Sequence, residues 1–78
     1  MNWREHIVTD PEILCGTPCI KGTRLSVEFL LGVMAEGWSR TMLLENYPRL
    51  TDDDLRAVFA FAGEMLREEV IVIPQDAA

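Results

Sequence analysis

The sequence predicts a mainly α domain: three helices, preceded by a short β-ribbon and followed by a C-terminal strand. Three observations carry that reading. First, Val27, Leu30, Leu31 and Met34 recur at the spacing of one helix face, and Leu55, Val58, Phe59, Ala62, Met65 and Leu66 repeat the pattern further on. Second, Ser26, Ser39 and Thr51 stand where three successive helices would need N-caps. Third, the stretch Cys15–Arg24 holds two of the five glycines, one of the four prolines and both cysteines, which makes it a rigid, turn-forming segment and not a linker.

In chain order, Ile7-Val8-Thr9 is a short β-favouring run, and Asp10-Pro11-Glu12 reads as a cap with one turn of helix through Ile13 or Leu14. Gly16 ends that turn, Pro18-Cys19-Ile20 is extended, and Lys21-Gly22-Thr23 turns again. Strands near 7–9 and 18–21 thus form a ribbon within 7–24, too small to stand without packing on helices. The first helix covers about 26–36 and stops at Gly37; Phe29 and Val33 give it a second apolar face. The second covers 39–46, with Met42 and Leu43 pointing inward, and Tyr47-Pro48-Arg49-Leu50 is a turn because Pro48 interrupts the helix. The third covers 51–68, opened by Thr51 with Asp54 three residues later, a shortened capping box, and by three aspartates that suit the helix dipole. Val70-Ile71-Val72-Ile73 reads as a tail strand whose faces need cover.

Seventy-eight residues make a single domain of 1–78, short enough that a partner chain is expected to complete its buried surface. No apolar run reaches the roughly 20 residues of a membrane span, and the N-terminus lacks the apolar stretch of a signal peptide, so no membrane association and a cytoplasmic location are expected. A net charge of −6 disfavours a stand-alone nucleic-acid binder and favours a basic protein partner.

Three helices with short connections, the last two joined by a tight turn, have the layout of a helix-turn-helix. On the outer side of the third helix, Arg56, Ala60, Gly63 and Arg67 make a narrow stripe of small residues between two arginines, suited to phosphates or to close packing against another element. Gly63 inside a helix implies a tight crossing, because glycine there costs about 1 kcal/mol relative to alanine. Asp52 and Asp53 at the helix start would repel phosphate, so Lys21, Arg24, Arg40 and Arg49, with Arg56, are the candidate DNA contacts. Ala60, Gly63, Arg67 and the tail residues Val70, Ile71, Val72 and Ile73 are the candidate partner contacts.

Cys15 and Cys19 with the single His6 fall short of the four ligands of a structural zinc site, and a redox pair would more often be spaced Cys-x-x-Cys. They read as two reduced thiols in a turn, and His6 as a surface residue beside a strand. No nucleophile–base arrangement and no phosphate-cradling loop is visible, so neither catalytic residues nor a cofactor or metal are expected.

Asp10-Pro11-x-Ile13, Gly16-x-Pro18-x-Ile20-x-Gly22-Thr23-Arg24-x-x-Val27, Gly37 and Tyr47-Pro48-x-Leu50-Thr51-x-x-Asp54-Leu55-x-Ala57 together resemble the domain-of-unknown-function family four-three-three, whose members are often described as VapB-like antitoxins. The resemblance covers roughly 7–66. It implies a homeodomain-like three-helix bundle, commonly a dimer, acting as the antitoxin of a PIN-like ribonuclease toxin with operon autoregulation. The alternative is a stand-alone dimeric helix-turn-helix transcription regulator. The resemblance carries over no catalytic residue.

Overall fold

In the computed structural model, residues 1–68 are described. The tail strand expected over 70–73 lies outside them. Two strands, β1 (Ile7–Val8) and β2 (Cys19–Ile20), pair antiparallel with Ile7 opposite Ile20 and Val8 opposite Cys19. Three helices follow: α1 (Val27–Ala35), α2 (Arg40–Asn46) and α3 (Asp52–Glu68). A short 3-10 turn, Trp3–Glu5, precedes the ribbon.

The caps are those the sequence implies. Ser26 Oγ accepts the Phe29 amide at 2.9 Å, and Ser39 Oγ accepts the Met42 amide at 3.1 Å. Thr51 and Asp54 cap α3 reciprocally, the Asp54 amide donating to Thr51 Oγ1 and the Thr51 amide to Asp54 Oδ2. α1 ends in a Schellman motif. The Gly37 amide reaches the Met34 carbonyl and the Trp38 amide the Val33 carbonyl, with Gly37 at φ +105°.

Ile7, Ile20, Val27, Leu30, Leu43, Leu50, Leu55, Ala57 and Val58 form one buried core, so ribbon and helices share it. The ribbon is thus covered by the helices, which is what a two-stranded sheet needs in water. The inward faces differ from expectation in detail. Phe59 (51% exposed), Leu66 (58%) and Met42 (40%) lie outside the core, while Ala57 is buried and Phe61 packs on it. The reason is local. The Trp3–Glu5 turn lies along α3, Trp3 meets Phe61 edge-to-face at 4.9 Å, and Trp3 Nε1 donates to Glu64 at 2.7 Å. That contact sets which side of the C-terminal half of α3 is covered. Trp3→Ala is expected to cost about 2–4 kcal/mol, as truncation of a packed aromatic does, read as a lowered midpoint in urea.

After β1 the single turn comes later than expected, as a 3-10 element over Leu14–Gly16. The Asp10 carboxylate accepts the Glu12 amide, and the Ile13 amide reaches the Asp10 carbonyl. Leu14, Cys15 and Gly16 then all take positive φ, at 49°, 56° and 82°, a left-handed turn that disfavours the first two residue types. Among the described residues Gly63, finally, meets no crossing backbone, and a Cβ there would touch Arg67 Nη1 at 3.8 Å, an ordinary contact. Gly63→Ala is therefore expected to stabilise the domain by about 0.5–1 kcal/mol through helix propensity, seen as a raised thermal midpoint.

Candidate functional site

Two turns far apart in sequence close one open cleft of about 670 Å³. The first is Ile20–Thr23. The Thr23 amide donates to the Ile20 carbonyl at 3.0 Å, with Gly22 at φ +80° in the third position, as a type II turn requires. Thr23 Oγ1 locks it, donating to the Ile20 carbonyl at 2.8 Å and accepting from the Leu25 amide at 3.0 Å. The second is Tyr47–Leu50, with Pro48 in the second position, the Leu50 amide on the Tyr47 carbonyl at 2.9 Å and Leu50 buried as its anchor. Arg49 joins the two turns, its Nη1 donating to the Gly22 carbonyl at 3.2 Å.

Val8, Ile13, Leu25, Tyr47 and Pro48 supply apolar walls, and Gly22, Thr23, Arg24 and Arg49 the remainder. Tyr47 is held from behind, stacked on Trp38 at 6.4 Å and edge-on to Phe29 at 6.1 Å. Arg24 and Arg49 are exposed, and neither pairs with a carboxylate among the described residues.

The five basic residues read from the sequence as DNA contacts therefore divide. Arg24 and Arg49 line the cleft and Lys21 is exposed in the adjoining turn. Arg40 lies elsewhere, its Nε 3.0 Å from Asp52, and Arg56 sits 4.0 Å from Asp53. The acidic helix start thus engages both of them. Of the outer stripe on α3, Ala60, Gly63 and Arg67 line a depression against Met1, Trp3, Arg4 and Glu64, whereas Arg56 does not reach it. Phe59 shares that depression. Val70, Ile71, Val72 and Ile73 lie outside the described residues.

His6, expected as a surface residue beside a strand, adjoins β1 but is partly buried and partnered. Its Nδ1 lies 2.8 Å from Asp54 Oδ1, and its side chain is 25% exposed. The carboxylate accepts only, so Nδ1 carries the proton, and the ribbon is tied to the first turn of α3. The thiols are not joined: Cys15 is exposed and Cys19 buried. Cys19 Sγ donates to the Thr17 carbonyl at 3.1 Å, and burial pushes its thiol up from the ordinary 9.0. A raised value in the fold means the stabilisation is complete below pH 9.0 and is lost as pH climbs from there through the folded-state value. Denaturant midpoints should fall over that range, and Cys19→Ala should flatten the slope. Among the described residues no group of three or more His, Cys, Asp or Glu side chains is placed to hold a metal, and no helix is long and apolar enough to cross a membrane.

The sequence had singled out the arginines but not Tyr47, Leu25, Val8 or Ile13 as cleft residues. The available signal was that Gly22-Thr23-Arg24 and Tyr47-Pro48-Arg49 are both tight-turn motifs carrying an arginine. The family model described as "Protein of unknown function (DUF433)" matches residues 7–62, a span that includes both turns. The uncharacterized protein y4eO of Sinorhizobium fredii (strain NBRC 101917 / NGR234) is 36% identical over 59 residues, covering 76% of this chain and 27% of that protein. The crystal structure of a DUF433 member protein from Anabaena variabilis ATCC 29413 superposes with a TM-score of 0.73 at 31% identity, over 80% of this chain and 61% of that one. The chain thus spans about a quarter of the first of these relatives and about three fifths of the second.

Proposed function

The chain belongs to the DUF433 family, and from that premise we propose that it is the antitoxin of a type II toxin–antitoxin pair, a non-enzymatic protein that binds and neutralises a PIN-like ribonuclease toxin. One observation supports this above the others. α3 exposes Phe59 and Leu66 on a chain of net charge −6, with Arg67 next to Leu66 in the sequence. Exposed aromatic and aliphatic side chains beside an arginine have the composition of an interface centre. Co-expression with the adjacent reading frame tests it. The two proteins should co-purify and the toxin's growth arrest should be relieved. Phe59→Ser with Leu66→Ser should abolish both effects while leaving the fold intact. A neighbour that never co-purifies and whose toxicity is unchanged would end the reading. In this reading the protein is a homodimer, and a monomer mass in light scattering at micromolar concentration would contradict that part.

A second reading rests on a different observation. α2, the Tyr47–Leu50 turn and α3 follow one another as in a homeodomain-like helix-turn-helix, and Lys21, Arg24 and Arg49 stand together without carboxylate partners among the described residues. The protein then represses its own operon or acts as a stand-alone regulator. A promoter fragment should shift in a gel, and the shift should weaken steeply with salt. No shift at low salt, with or without the toxin, rules it out.

A further inference from the structure

We propose that the cleft between the Ile20–Thr23 and Tyr47–Leu50 turns is a binding site for a small amphipathic carboxylate, an aliphatic or aromatic body bearing one carboxylate group. The cleft, at about 670 Å³, falls in the range of small-molecule sites, roughly 300–1,000 Å³. Its walls are apolar side chains from β1, the ribbon and the second turn, and they suit a hydrocarbon body. Its charge is one-signed. Of the described arginines, Arg4 meets Glu64, Arg40 meets Asp52 and Arg56 meets Asp53, whereas Arg24 and Arg49 in the cleft, like Arg67 outside it, pair with no carboxylate among the described residues. On a chain of net charge −6 with 13 acidic residues, an arginine pair left without carboxylates beside an apolar hollow calls for a carboxylate from outside. The guanidinium fork matches that group in shape. Arg49 is already oriented by its bond to the Gly22 carbonyl, and Tyr47 by Trp38 and Phe29, so little has to be ordered on binding. A nucleic-acid backbone is the poorer match, because it seeks a run of cations over a polar surface and gains little from aliphatic walls.

The test is an NMR titration of the full chain with decanoate below its micelle-forming range, alongside decanamide, its neutral counterpart, and a short single-stranded oligonucleotide. Saturable shifts at Val8, Ile13, Leu25 and Tyr47 are expected with decanoate, weakened about tenfold or more for decanamide and for Arg24→Gln, the loss of one charged hydrogen bond. The decanamide comparison uses the unaltered protein and holds even where the variant fails to fold. Equal affinity for decanoate and decanamide, shifts centred on Phe59 and Leu66, or cleft shifts with the oligonucleotide while decanoate is silent would each overturn the assignment.

Discussion

Leu55→Ala is expected to lower stability by about 2–5 kcal/mol, the range for truncating a buried leucine to alanine. Leu55 is 0% exposed, one turn into α3, in the same core as Leu30, Leu43 and Ile20. The cavity it leaves would open where all three helices and the ribbon meet, so no single element can collapse to fill it. Whole domains are stable by only about 5–15 kcal/mol, and short ones sit low in that range. The variant should therefore show a substantial unfolded fraction at 37 °C by circular dichroism. A loss below about 1 kcal/mol in urea would mean that the core is looser than its packing implies.

Asp54→Ala is expected to cost about 2–4 kcal/mol, because one carboxylate does two structural jobs. It accepts the Thr51 amide at 3.0 Å to cap α3, and it accepts His6 Nδ1 at 2.8 Å to hold the ribbon against that helix. At 9% exposure it is the buried charged residue of the described chain. Asp54→Asn should cost less, since an amide oxygen still accepts one of the two bonds. A double-mutant cycle with His6→Ala should give a coupling of about 1–2 kcal/mol. Additive losses would show that the His6 contact contributes nothing to the fold.

The caps were legible because Ser26, Ser39 and Thr51 act through hydrogen bonds to amides three residues away, and such geometry is written in local sequence. The ribbon was legible because turn residues bracket β-favouring runs. The third helix was legible in extent but not in orientation. Periodicity placed Phe59 and Leu66 on its inner face, yet Trp3 and Arg4 come from the other end of the chain to cover Phe61 and Glu64 instead, with the Arg4 guanidinium stacked 4.3 Å from the Trp3 ring. No local pattern near α3 announces a contact made across 61 positions. The same limit explains His6, whose partner lies 48 residues away.

The cleft divides in the same way. Sequence alone determined its parts: a Gly-Thr-Arg turn, a Tyr-Pro-Arg turn, and an arginine in each, because turn chemistry depends on φ preferences and short-range hydrogen bonds. Only the tertiary structure decided that the two turns face each other. That required the shared core under Ile20 and Leu50 and the bond from Arg49 to Gly22, across 27 positions. It decided equally that, among the described residues, Arg24 and Arg49 stand clear of carboxylates while Arg40 and Arg56 do not, since which charges meet depends on how the helices pack and not on how many charges the chain carries.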